Sequence, residues 1–194
     1  MIIVAICGVK RSGKDTIAHY LTQKYSYQLR HVKIAAPLKE MCGQLFGWSA
    51  QQMEDDSKDL VDPVWGVSPR SALQFIGTEV MQYKIQELLG PAIDRKFWIL
   101  ALTRTIQPSE SVVISDMRFV HEYNVLKEQY GNKLYTIKVV KSDSQHDDNQ
   151  DLHSSEQEWK SIPEDVTIDN NGTLQDLYKK LDELTVCGLS YLVE

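Results

Sequence analysis

The 194-residue chain is poor in cysteine, in long apolar runs and in surplus positive charge, and each shortage removes a class of protein. Three cysteines, Cys7, Cys42 and Cys187, are too few and too scattered for a disulfide framework or a zinc site, so reduced thiols are expected. No run approaches the roughly 20 apolar residues of a membrane span, and the first residues read as a strand carrying a functional loop instead of a cleavable leader. A cytoplasmic protein with no membrane partner is expected. A net charge of −6, from 21 Lys and Arg against 27 Asp and Glu, argues against a broad nucleic-acid surface while leaving room for a local basic pocket. Internal repeats, low-complexity segments and an evident nucleophilic triad are also missing. At 42% hydrophobic, the chain has the makings of one globular domain with a substantial core.

What is present begins at residue 1. An unbroken apolar run, 2–7, leads into Gly8-Val-Lys10-Arg11-Ser12-Gly13-Lys14-Asp15-Thr16, and Ile17, Ala18, Leu21 and Tyr25 follow at helical spacing. Two glycines bracketing four residues, with lysine next, is the spacing of a P-loop. Glycine allows successive N–H groups to turn inward, the helix adds its positive end, and the lysine supplies a mobile ammonium for phosphates. Gly8 and residues 10–16 are therefore the candidate nucleoside-triphosphate-binding set. Asp15 stands where Ser or Thr usually holds magnesium.

The rest of the chain alternates strand and helix, which points to a parallel sheet with crossover helices. Strands are expected near 2–7, 30–35, 111–115, 133–140 and 165–168 of a single 194-residue domain. Pro37 opens a helix. Ser68-Pro69 starts a long one that Gly90-Pro91 ends, and a further helix is expected from 94 to 106. Strand 111–115 ends at Asp116, with Arg118 two residues later, in the manner of the acidic strand that lies beside a P-loop strand. The polar stretch 141–153 reads as a solvated loop. His146, Asp147, Asp148, Asp151 and His153 match no recognised metal-ligand spacing. The serines at 154 and 155 head two overlapping capping boxes, with Gln157 and Glu158.

A P-loop alone settles only that a nucleoside triphosphate is bound. Arg70, Arg104 and Arg118 narrow the reading toward phosphoryl transfer, which needs cations around the transferring group. A phosphate acceptor, with a second pKa near 6, needs no strong base.

The motifs Ser12-Gly13-Lys14-Asp15-Thr16, Pro37-Leu38-Lys39, Leu45-Phe46-Gly47-Trp48, Asp62-Pro63-x-Trp65-Gly66, Ser68-Pro69-Arg70-x-x-Leu73-Gln74-x-Ile76-Gly77-Thr78-Glu79, Ser115-Asp116-x-Arg118-Phe119 and His153-x-Ser155-Glu156 together resemble the deoxynucleoside monophosphate kinases of bacteriophages and large DNA viruses. The resemblance runs from residue 1 to about residue 181 and includes the Gly-Lys-Asp-Thr loop. It implies an α/β P-loop three-layer sandwich, like that of nucleoside monophosphate kinases, with a mainly parallel five-stranded sheet. A helical acceptor-binding region at about 37–106 and a lid at about 141–158 would be inserted in it.

The resemblance also implies ATP and Mg2+ as co-substrates, a deoxynucleoside monophosphate (dNMP) as acceptor, and a host cell's cytoplasm as location if the chain is viral. Lys14 would stabilise the transferring phosphoryl group together with Arg70 and Arg118. Asp15 and Asp116 would be metal partners, and Thr16 would meet the donor's α-phosphate. Arg70 would bind the acceptor phosphate, with Lys39, Gln74, Glu79, Trp98 and Arg104 around the acceptor. For Trp98, stacking on a base and filling the core are equally supported. His153 and Glu156 match the pattern without a mechanism that demands them. A homodimer stays open. The alternatives are a P-loop kinase for another phosphorylated metabolite, of the dephospho-coenzyme A or phosphomevalonate type, and a non-catalytic nucleotide switch.

Overall fold

The computed structural model describes residues 1–25, 29–54, 56–142 and 157–187. Its contacts divide the chain into two compact units, Met1–Lys33 with Leu102–Glu194, and Ile34–Ala101.

The first unit is a five-stranded, wholly parallel sheet of β1 (Ile3–Gly8), β2 (Leu29–Val32), β3 (Ser111–Ile114), β4 (Leu134–Val140) and β5 (Val166–Asp169), in the order β2-β3-β1-β4-β5. Each strand starts within one residue of its expected position, and β2 alone ends well short, at Val32 instead of 35. β1 sits at the centre because all six of its residues are buried, as a strand covered on both faces must be. Val4 and Ile6 join Ile17, Ala18 and Leu21 of α1 (Lys14–Lys24) and Leu177 and Leu181 of α7 (Leu174–Cys187) in one core. Ile3, Ala5 and Cys7, of opposite parity, are equally buried. α6 (Val120–Tyr130) packs on β4, and the 3₁₀ turn Glu158–Ser161 packs on β1. Burial pushes the Cys7 thiol up to about 11, so it is an inert core residue.

The second unit is helical. α2 (Ala36–Phe46) has Pro37 in its first turn and ends at Gly47 with φ +72°. α3 (Pro69–Gln74) is capped by Ser68, whose Oγ accepts the Ser71 N–H at 3.2 Å. Beyond Gln74 the expected long α-helix widens into a π-helix, Phe75–Lys84, before α4 (Gln86–Leu89). The Ile85 N–H reaches the Val80 carbonyl at 2.8 Å, five residues back. The sequence carries a trace of this, since the apolar positions Leu73, Ile76, Val80 and Ile85 step by three, four and then five. Gly77 lies within this stretch against Leu38 of α2, where an added Cβ would come within 2.6 Å of the leucine side chain.

The helix expected from Asp94 starts later. Asp94 has φ +48°, which kinks a 3₁₀ segment, Pro91–Lys96, and α5 begins only at Phe97 (Phe97–Thr103). Ser49 heads a short turn at Gln51–Met53, its Oγ accepting the Gln52 N–H at 3.3 Å. The expected lid loop, the histidine–aspartate stretch, the paired serines, His153 and Glu156 lie outside the described residues, apart from the ends of the loop at 141–142 and 157–158. No helix among the described residues is long and apolar enough to cross a membrane.

Candidate active site

The parallel sheet delivers two chain segments to the same edge. β1 runs into the loop of Gly8 to Thr16, and β3, its hydrogen-bonded neighbour, runs into Ser115 and Asp116. The loop's shape depends on glycine at both ends. Gly8 has φ +146° and packs so closely on β4 that a Cβ would collide with the Val139 carbonyl, while Gly13 has φ +101°. Arg11 adopts φ +63°, an unusual state for a residue with a side chain, and one that concentrates at functional sites. Lys10 and Arg11 are exposed on the loop, and Thr16 is half-buried in the first turn of α1.

Lys14 opens α1, and its ammonium donates to the carbonyls of Gly8 at 3.0 Å and Val9 at 2.7 Å. Burial and the neighbouring Arg118 charge draw its pKa down to about 8, against the upward pull of Asp15 and Asp116. Those opposing influences locate Lys14, Asp15, Asp116 and Arg118 in one electrostatic neighbourhood. Ser12 is fully buried, and its hydroxyl has no hydrogen-bond partner among the described residues. A buried hydroxyl inside a glycine-bounded loop, with no acceptor among the described residues, is free to donate to an incoming group.

Asp15 is held from the sheet. Its Oδ1 accepts the Ser115 hydroxyl at 2.6 Å and meets the Lys33 ammonium at 3.0 Å. Burial pushes this carboxyl up, but the hydrogen bonds from Ser115 and Lys33, with the charges of Lys33 and His31, hold it below its ordinary value. The Ser115 proton is committed to Asp15, so the 2.7 Å contact with His31 Nε2 is an N–H donating to Ser115 Oγ. Burial, then Lys33, lowers the His31 pKa. His31 and Lys33 were not singled out by sequence. Their signal is positional, two polar residues at i and i+2 where β2 ends beside β3.

The turn after β3 is fixed by a buried acid that sequence reasoning also missed. Glu122, 5% exposed, reaches back from α6 so that its Oε2 accepts the N–H groups of Arg118 at 2.8 Å and Phe119 at 3.0 Å. Burial pushes its pKa up to about 7 despite those two donors. Asp116 is half-buried within this turn, and the Arg118 side chain is exposed.

The candidate acceptor residues fall mostly in the second unit. Arg70 is paired with Asp59, Nη2 lying 2.9 Å from Oδ2 and Nε also bound to the carboxylate. Lys39 pairs with Glu54 at the edge of a cleft of about 450 Å³ whose lining includes Trp48 and Met53. Gln74 and Glu79 are exposed on consecutive turns. Trp98 is 8% exposed, and its indole N–H donates to the Gly77 carbonyl at 2.9 Å, so it packs α5 against the π-helix and has little ring face left for a base. Arg104 is exposed just past α5, in the first unit.

A family model described as deoxynucleotide monophosphate kinase matches residues 52–181. A protein of Acanthamoeba polyphaga mimivirus named "Putative deoxynucleotide monophosphate kinase" is 31% identical over 192 residues, covering 93% of this chain and 94% of that protein. Among solved structures, a shikimate kinase from Aquifex aeolicus is 13% identical with a TM-score of 0.49, covering 96% of this chain and 99% of that one. A thymidylate kinase from Candida albicans is 16% identical with a TM-score of 0.48, covering 100% of this chain and 93% of that one.

Proposed function

The chain belongs to the deoxynucleotide monophosphate kinase family, and from that premise we propose that it transfers the γ-phosphate of ATP to a dNMP, giving a dNDP and ADP. The observation that carries this reading is the loop of Gly8 to Thr16, with its orphan Ser12 hydroxyl, its lysine and the acidic end of β3 at one edge of the sheet.

The loop's backbone and the Ser12 hydroxyl receive the donor's phosphates, and Thr16 meets the α-phosphate. Lys14 leaves the Gly8 and Val9 carbonyls to sit on the charge that develops during transfer, joined by Arg118. Its pKa near 8 in the free protein favours this move, because phosphate oxygens restore the ion partner that burial denies it. Asp15 and Asp116 fit a hard divalent cation. Among the described residues no group of three or more His, Cys, Asp or Glu could hold a metal alone, and magnesium is commonly held by one or two carboxylates completed by phosphate oxygens. When bound, magnesium would neutralise part of the phosphate charge. Asp15 is kept ionised for that role by Ser115 and Lys33.

On the acceptor side, Arg70 takes the dNMP phosphate in exchange for Asp59, offering a planar pair of N–H groups to two phosphate oxygens. Gln74 reads the base edge with one donor and one acceptor, and Lys39, Glu79 and Arg104 complete the acceptor's surroundings. No general base is needed, since the acceptor phosphate is largely dianionic at neutral pH.

A coupled ADP-release assay over a panel of dNMPs, dephospho-coenzyme A and phosphomevalonate tests this. The expected result is release of ADP stimulated by at least one dNMP and by neither of the other two. Absence of turnover with every dNMP would overturn the proposal.

A further inference from the structure

We propose that Asn170, in the turn between β5 and α7, is a positioning residue that sets the direction of the Gly13 amide and so the affinity for the donor triphosphate. The inference rests on reading the loop of Gly8 to Thr16 as the donor site.

Asn170 lies 158 residues from the loop in sequence, yet its Nδ2 donates to the Ser12 carbonyl at 2.8 Å. It is delivered there by a braced turn. The Asn170 N–H donates to the Val140 carbonyl at 2.8 Å, Asn171 Oδ1 accepts the Ser142 N–H at 2.7 Å, and the Asn171 N–H donates to Asp169 Oδ1 at 3.1 Å. The Lys180 ammonium on α7 donates to the Asp169 carbonyl at 2.5 Å and ties the turn to the last helix.

In a trans peptide the carbonyl and the next N–H point to opposite sides. Pulling the Ser12 carbonyl toward Asn170 therefore turns the Gly13 N–H to the other side of the loop. The close approach explains the glycine as well, because a Cβ at Gly13 would lie 2.5 Å from Asn170 Nδ2. Ser12 thus has its carbonyl held outward while its buried hydroxyl is left unpartnered among the described residues. A loop preset in this way spends less of its binding free energy on ordering when a phosphate arrives.

Substitution at one atom tests the donor role. Asn170→Asp keeps the size but places acceptor oxygens against the Ser12 carbonyl, and Asn170→Ala removes the contact. Affinity for ATP and, separately, for the dNMP is measured with fluorescent analogues of each nucleotide, at a temperature where a thermal melt shows each variant fully folded. Asn170→Ala is expected to weaken ATP binding about 5- to 10-fold, from the usual worth of one hydrogen bond. Asn170→Asp is expected to weaken it further, because a carboxylate also repels the phosphates, and dNMP affinity is expected to stay within about 2-fold in both.

Unchanged ATP affinity in Asn170→Asp would overturn the proposal, as would equal weakening for both ligands, which a merely structural role produces. If the wild-type protein binds no ATP, the loop is misread and this proposal falls with it. If ATP binding behaves as expected but no dNMP is phosphorylated, only the proposed reaction fails.

Discussion

Glu122 offers a test of the site's architecture that needs no substrate. Its carboxyl is buried in α6, and its Oε2 receives the two N–H groups that begin the turn after Asp116. Burial nonetheless holds its pKa near 7 in the folded protein, against 4.5 when exposed. At 1.36 kcal/mol per pH unit, that displacement amounts to about 3 kcal/mol of ionisation cost borne by the folded state. Between those two pH values the folded protein keeps a proton that the unfolded chain has released. The associated stability is complete below pH 4.5 and is lost as the pH rises through about 7. Glu122→Gln keeps an oxygen able to accept both N–H groups and removes the ionisation. Urea unfolding of both proteins at pH 5, 6, 7 and 8 should show wild type losing roughly 2–3 kcal/mol relative to Glu122→Gln across that range. Hydrogen exchange at the Arg118 and Phe119 amides reports the same event locally. A difference between the two proteins that does not change with pH, or one that moves in wild type's favour as the pH rises, would refute the argument.

Lys14→Ala should cut phosphoryl transfer by about 10²- to 10³-fold, the usual worth of one charge-stabilising donor, while circular dichroism shows the fold intact. Near-normal turnover would contradict the role given to the loop. Arg70→Ala should raise KM for the dNMP by about 10-fold or more with a much smaller change in KM for ATP, as steady-state kinetics would reveal. Gly8→Ala should destabilise the protein by about 2–3 kcal/mol, read as a lowered Tm, since φ +146° is unfavourable for alanine and the new Cβ meets the Val139 carbonyl.

How much of this was readable in advance depended on distance along the chain. The loop could be recognised because its chemistry is contiguous. Glycine spacing, the lysine and the apolar run before them specify a strand, a turn and a helix from local preferences alone, and Asp116 was legible for the same reason at the end of a strand of β-formers. The strands themselves announced a parallel sheet, because the segments between them were too long for hairpins and carried helical spacing.

The partners of those residues were not legible. Asn170 beneath Ser12, and His31 and Ser115 behind Asp15, are pairings that strand order and helix register create, and no local pattern encodes them, whereas Glu122 under Arg118 is a local helix cap whose signal is an acid in the first turn of α6. The same holds for Trp98, whose sequence signal served stacking and packing equally until the Gly77 carbonyl claimed its N–H. Local preference also lost to packing in the helical unit, where the π-helix replaces a regular helix and Asp94 breaks the approach to α5. The sequence by itself determined the glycine-bounded loop with its lysine, the sheet and the family resemblance, since each rests on residues adjacent in the chain or repeated at fixed spacing. Only the tertiary structure decided what holds the loop and Asp15 in place, because those contacts join residues up to 158 positions apart and exist only once the core has closed.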